Sequence, residues 1–206
     1  MAYGTNAPWG LRPYKTLNGA LWNGQCNTYP IASGYATSIF TNDPVYVTGT
    51  GNLIIAVAGA GNPIFGVFQG VKYFAANGTY TFSAFWPANT VVQANTTVEA
   101  LVIDDDNVMY DIQSNNNVGV LATDIFNNAD LVAGAGSTTS GLSGWMLDQA
   151  TIGNGATKQV KILALTPVTV LTPPGGAPGN VFGAFDNVLV TINNDYFKGG
   201  TGTVGV

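Results

Sequence analysis

Short runs of strand-forming residues, separated by turn-forming residues, follow one another along most of this chain. Examples lie at residues 45–47, 53–58, 64–69 and 80–85, with Gly, Asn and Pro between them. Turns spaced about ten residues apart are typical of antiparallel sandwiches and barrels, because each strand crosses one sheet before the chain reverses. The sequence therefore predicts an all-β fold, a β-barrel or sandwich of short antiparallel strands.

One stretch in the middle of the chain has the strongest pattern. Val98–Ile103 is apolar on both faces apart from Glu99, which is typical of a strand inside a packed sheet. Val108–Gln113 alternates apolar and polar residues, the period of a strand that is buried on one face. Residues 104–107, three Asp and one Asn, favour a turn. The stretch therefore predicts a β-hairpin with a solvated, acidic turn.

The second half of the chain contains two further strand patterns and one helical pattern. Residues 121–133 repeat apolar side chains at helical spacing, so they predict a short helix. Residues 158–165 and 188–192 are strand-forming runs. A Pro- and Gly-rich loop is expected at 167–178, and a Gly-rich tail begins at Lys198.

Residues 1–34 show no sustained period, so they predict an extended N-terminal arm before a single β-barrel-like domain at 35–206. The candidate contact residues of the arm are four large apolar side chains and one basic one: Trp9, Leu11, Arg12, Tyr14 and Trp22. A segment with this many large apolar groups normally lies on another surface. That surface is either the arm's own domain or a neighbouring protein, and the residues leave both open.

Charged side chains are scarce. Asp, Glu, Lys and Arg make up 8% of the residues, whereas an ordinary soluble domain has about 25%. Six basic residues and a net charge of −5 argue against a nucleic-acid partner, which needs clustered Lys and Arg. The sequence shows no signal-peptide pattern and no apolar run of membrane-spanning length. We therefore expect no membrane partner and a soluble chain made in a cytosol.

Candidate catalytic and metal-binding residues are few. The chain has no His, which removes the Ser-His-Asp triad and the commonest metal ligand, and its one cysteine, Cys26, has no His to activate it. Four carboxylates cluster at 104–106 and Asp111. An EF-hand loop starting at Asp104 would need Gly and Glu where Met109 and Asn115 stand. We therefore predict that the chain is not an enzyme and that it holds neither a metal ion nor a cofactor.

Short motifs along most of the chain resemble those of one family. They are Asn6-Ala7-Pro8-Trp9-Gly10-Leu11-Arg12-Pro13, Leu17-Asn18-Gly19-Ala20, Trp22-Asn23-Gly24-Gln25, Asn42-Asp43-Pro44-Val45, Ile64-Phe65-Gly66-Val67, Val102-Ile103-Asp104-Asp105-Asp106, Tyr110-Asp111-Ile112-Gln113, Ala129-Asp130-Leu131 and Gly141-Leu142-Ser143. Together they resemble the head decoration, or capsid cement, proteins of tailed bacteriophages, which open on an Asn-Pro-Trp-Gly-Leu-Arg-Pro-like arm. This chain departs from them in its few charges and its many Asn residues.

The resemblance implies a virion protein on the capsid exterior that forms a homotrimer, ties neighbouring major capsid subunits together and performs no catalysis. Under that hypothesis the five arm residues named above anchor the arm on the capsid or on an adjacent protomer. The alternative is a virion receptor- or carbohydrate-binding module. Such a module would hold Trp or Tyr side chains exposed in a groove, where they stack on sugar rings.

Overall fold

The computed structural model describes residues 4–116, 118–167, 179–198 and 205. These residues form fourteen strands and one short 3₁₀-helix, so the prediction of an all-β fold is confirmed. The first eight strands are β1 (Arg12–Thr16), β2 (Asn27–Ile31), β3 (Ile39–Phe40), β4 (Pro44–Val47), β5 (Leu53–Ile55), β6 (Gly66–Phe74), β7 (Tyr80–Ser83) and β8 (Phe85–Trp86). The others are β9 (Val98–Ile103), β10 (Val108–Gln113), β11 (Asn128–Val132), β12 (Met146–Gly153), β13 (Val160–Leu165) and β14 (Asn187–Ile192).

The strands form two large antiparallel sheets and one small one. Sheet A has the order β1-β10-β14-β13-β11-β12, and sheet B has the order β2-β9-β6-β4-β5 with β7 also paired to β6. Strands β3 and β8 pair separately. Sheet A curls until β12 meets the chain just after β10, where the Asn115 amide donates to the Leu147 carbonyl at 3.0 Å. This contact gives sheet A a barrel-like form.

Buried apolar side chains form two clusters. The first lies mainly within sheet A and contains Tyr110 and Trp145, which are 0% and 2% exposed. The second lies between sheet B and the β3–β8 pair and contains Phe68 and Trp86, both fully buried. Ile55 packs against both clusters, so the two cores are continuous.

Strands β9 and β10 have the predicted bounds, but the prediction that they pair as a hairpin is wrong. Strand β9 lies between β2 and β6 in sheet B, whereas β10 lies between β1 and β14 in sheet A. Residues 104–107 therefore carry the chain from one sheet to the other; we call them the crossover. A four-residue turn permits either arrangement, and here each strand is paired on both sides by more distant strands.

The predicted alternation of β10 is also wrong, because all six of its residues are buried. Asp111 and Gln113, expected at the surface, are 0% and 2% exposed. Both side chains have hydrogen-bonding partners: Arg12 and Thr166 bond the Asp111 carboxylate, and Thr5 and Ala7 bond the Gln113 carboxamide. Burial of two polar side chains is tolerated when each is satisfied in this way.

The helix predicted at 121–133 is replaced by a 3₁₀-helix, Ala122–Asp124, and by strand β11. Strand β11 pairs with both β12 and β13, and it buries Ala129 and Leu131. Pairing on two sides outweighs a weak helical preference. The strands predicted at 158–165 and 188–192 are confirmed as β13 and β14. The loop expected at 167–178 and the Gly-rich tail lie almost wholly outside the described residues.

The N-terminal segment is part of the body rather than a projecting arm. Strand β1 pairs with β10, and β2 pairs with β9. Of the two surfaces left open by the sequence, the segment therefore lies on its own domain. Backbone pairing on two central strands explains this placement, because it satisfies amide and carbonyl groups that an extended arm would leave to water.

Candidate functional site

Asp111 is the centre of a polar cluster beneath the N-terminal segment. Its buried carboxylate forms an ion pair with the guanidinium of Arg12 and accepts a hydrogen bond from the Thr166 hydroxyl at 2.6 Å. Its main-chain carbonyl accepts a hydrogen bond from the indole of Trp9 at 3.2 Å. Burial raises the pKa of Asp111, and the bonds from Thr166 and Arg12 oppose that rise. The cluster fastens the segment to the middle of sheet A.

Gln113 makes a second attachment two residues further along β10. Its side-chain oxygen accepts a hydrogen bond from the Ala7 amide at 2.8 Å. Its side-chain nitrogen donates to the carbonyls of Thr5 and Phe185, at 3.0 and 3.2 Å. Residues 5–12 are therefore held along their length, and both the oxygen and the nitrogen of the Gln113 carboxamide have hydrogen-bonding partners.

The five residues predicted to contact a capsid or protomer differ in how far they are buried. Trp9 and Leu11 are 5% and 0% exposed, so they pack within this chain. Arg12 is partly exposed, but it pairs with Asp111 and lies over the Trp9 ring at 4.6 Å. Tyr14 and Trp22 remain partly exposed. Among these five described residues, Tyr14 and Trp22 keep exposed surface and are not held by an ion pair, although Lys15 lies over the Tyr14 ring at 5.8 Å.

A groove of about 350 Å³ lies between residues 16–27 and the crossover. Trp22 and the exposed Leu21 contribute apolar lining. Carboxamides and carboxylates come from Asn18, Asn23, Gln25, Asn27, Asp104 and Asp105, and Thr16, Ala20, Cys26 and Val108 complete the lining. We call this the Trp22 groove. Its lining combines one aromatic ring with hydrogen-bond donors and acceptors.

The acidic crossover was predicted to be a solvated turn, and its carboxylates differ in their surroundings. Asp104 accepts two hydrogen bonds from the Asn27 carboxamide, both 3.0 Å, and a third from the Tyr29 hydroxyl. Burial, assisted by Asp104, raises the pKa of Tyr29 to about 12. Asp105 is exposed and accepts a hydrogen bond from the Asn107 amide at 2.9 Å. Only Asp105 matches the prediction fully.

The third crossover carboxylate, Asp106, faces the end of the described chain. It forms an ion pair with Lys198 at 3.0 Å. Burial and the neighbouring Asp106 raise the pKa of Asp195 to about 6. No group of three or more His, Cys, Asp or Glu side chains that could hold a metal ion is found among the described residues. The same residues include no helix long and apolar enough to cross a bilayer.

Cys26 lines the Trp22 groove and is half-buried. Burial raises the pKa of its thiol, and the Asp104 carboxylate adds to the effect. Both influences disfavour the thiolate, which is the nucleophilic form. The environment of Cys26 is therefore the opposite of the one that activates a catalytic cysteine.

Three aromatic side chains stand on the outer face of sheet B. Phe74, Tyr80 and Phe82 are 39%, 57% and 65% exposed. The rings of Phe74 and Tyr80 are 5.0 Å apart, and the ion pair between Lys72 and Glu99, at 2.8 Å, lies beside them. We call these three side chains the aromatic patch. Sequence reasoning missed it, although Tyr80 and Phe82, two residues apart in a strand, necessarily share a face.

Comparison with known proteins adds no relative. No protein-family model, no curated protein and no solved structure matches this chain. The functional inference therefore rests on the residues and their geometry.

Proposed function

We propose that this chain is a non-catalytic structural protein of a phage particle, one that binds the capsid exterior and ties neighbouring major capsid subunits together. The observation that carries the proposal is the aromatic patch. Three exposed rings on one rigid sheet face are typical of a surface that another protein covers. The motif resemblance to phage head decoration proteins supplies the kind of partner, a major capsid protein.

The electrostatic character of the chain supports docking on protein. With 8% charged residues, little desolvation of charge accompanies burial of its surface. Beside the patch, Lys72 and Glu99 already neutralise each other. Contacts with a shell are then made by rings, hydroxyls and carboxamides, the groups that dominate the centre of protein interfaces.

The placement of the N-terminal segment changes how such a protein would attach. A free arm would reach across a subunit seam, but here residues 5–12 are bound to β10. The proposed contact surface is therefore the rigid body, through the aromatic patch, together with Tyr14. A homotrimer adds three such surfaces, so weak individual contacts combine into firm attachment.

The experiment replaces Tyr80 and Phe82 with serine and adds the purified protein to capsids that lack their decoration. Both side chains are more than half exposed, so the double variant should fold as the wild type does. We expect its binding, measured by co-sedimentation, to fall at least about tenfold, since interface aromatics often contribute more than 1 kcal/mol each.

The matched control replaces Val181 and Phe182, which are 57% and 40% exposed, with serine. This pair lies outside the patch, and its loss should leave co-sedimentation unchanged. Undiminished binding by the Tyr80 and Phe82 variant would exclude the patch as the docking surface. Solution mass, measured by light scattering on the wild type, tests the trimer separately.

A further inference from the structure

We propose that the Trp22 groove binds a neutral saccharide, with a sugar ring stacked on Trp22 and its hydroxyls bonded to the surrounding carboxylates and carboxamides. This site is separate from the aromatic patch and does not depend on the proposed docking to a capsid. Two features of the groove carry the inference.

The first feature is the state of its tryptophan. Trp9, Trp86 and Trp145 are 5%, 0% and 2% exposed, whereas Trp22 is partly exposed and lines an open groove. Its indole also packs against the core of sheet A, which holds the ring in place. A fixed ring with an accessible surface can stack on the apolar face of a sugar with little loss of side-chain entropy.

The second feature is the chemistry of the polar lining. Asp104 is held by Asn27 and Tyr29, so its position is set before any ligand arrives. Asp105, beside it, is exposed. Carboxylates accept hydrogen bonds from sugar hydroxyls, and the carboxamide lining of the groove both donates and accepts. A polyhydroxylated ring meets these requirements better than an apolar ligand or an anion.

Trp22 also provides the readout. As the only tryptophan of the four that is more than slightly exposed, it dominates quenching of the intrinsic fluorescence by acrylamide. The full chain is titrated with the methyl β-glycosides of glucose, galactose and N-acetylglucosamine. We expect at least one to protect Trp22 from acrylamide saturably, with a Kd in the millimolar range typical of a single ring on an open site.

Two variants and a second measurement test whether the glycoside binds in the Trp22 groove. Saturation-transfer NMR detects binding to the glycoside itself, so it also works for Trp22→Ala, which should lose the signal. Asp105→Asn alters an exposed side chain, should fold normally, and should weaken binding about tenfold, the loss expected for one charged hydrogen bond. The control Tyr80→Ser, outside the groove, should bind as the wild type does.

Three outcomes would overturn the proposal. One is the absence of saturable protection and of NMR transfer with all three glycosides. Another is equal binding by the wild type, Trp22→Ala and Asp105→Asn. The third is a response of Trp22 to calcium alone, which would make the groove a cation site. Since capsid binding is measured with the patch variants, either proposal can fail while the other stands.

Discussion

The guanidinium of Arg12 forms an ion pair with the carboxylate of Asp111, a side chain with no exposed surface in the middle of β10. The Arg12 side chain itself is 45% exposed. The pair therefore joins the outside of the N-terminal segment to the inside of sheet A. Residues whose sequence predicts an extended arm are therefore a part of the fold.

Removing Arg12 should leave the Asp111 carboxylate buried without its countercharge. We expect Arg12→Ala to lower the free energy of unfolding by about 2 kcal/mol, below the full cost for a wholly buried pair because Arg12 is partly solvated. Urea denaturation measures the change. Lys15→Ala removes a neighbouring positive charge that stands over Tyr14 instead, and an equal loss in that variant would contradict the prediction.

Trp9 and Leu11 should matter for stability before they matter for any partner. Both are buried, so Trp9→Ala and Leu11→Ala should each cost about 2–5 kcal/mol of unfolding free energy. Leu17, which is 52% exposed in the same segment, provides the control, and Leu17→Ala should change little. Thermal melting compares the three, and a Trp9→Ala variant that melts with the wild type would show the ring to be dispensable to the fold.

Gly10, between those two side chains, permits the close approach of the segment. Its φ is +74°, and a Cβ there would lie 2.5 Å from the Asn42 carbonyl oxygen and from the Ser143 side chain. Gly10→Ala should therefore destabilise the protein by about 2 kcal/mol or more. Gly49→Ala, where a Cβ meets nothing within 4 Å, is the matched control. Chemical denaturation of both variants should separate them clearly, and similar midpoints would argue against a tight contact at Gly10.

Stability should fall as pH rises from about 4 to 6. Burial raises the pKa of Asp43 from 3.8 to about 6, against the hydrogen bonds from Phe40 and Ser143. The folded state therefore holds the proton more tightly than the unfolded state. The stabilising contribution of protonated Asp43 is complete below pH 3.8 and is lost as the pH rises through 6. It amounts to about 3 kcal/mol in all.

Asp43→Asn keeps the shape of the side chain and cannot ionise. Unfolding free energies measured by urea at several pH values should therefore vary less steeply between pH 4 and 6 in this variant, with the remaining slope contributed by groups such as Asp195. Asp105→Asn, at an exposed position, is the control and should leave the slope as it is. An unchanged slope in Asp43→Asn would disprove the assignment.

Local patterns in the sequence were sufficient to locate most strands. The bounds of β9 and β10 were predicted correctly, and β13 and β14 were found within two residues, because side-chain period and turn chemistry act over a few neighbouring positions. The aromatic content of the N-terminal segment also indicated correctly that it lies on a surface. A pattern of this kind says what a segment can bury, but not against what.

Pairing partners were decided only by the tertiary structure. The crossover residues suit a hairpin turn, yet β9 and β10 belong to different sheets, because strands far away in sequence offer each of them partners on both sides. Asp111 was predicted at the surface from its alternation in β10. Its burial depends on Arg12, 99 residues earlier, and Thr166, 55 residues later. No local period encodes such contacts, since a buried carboxylate is tolerated only where distant groups converge to compensate its charge.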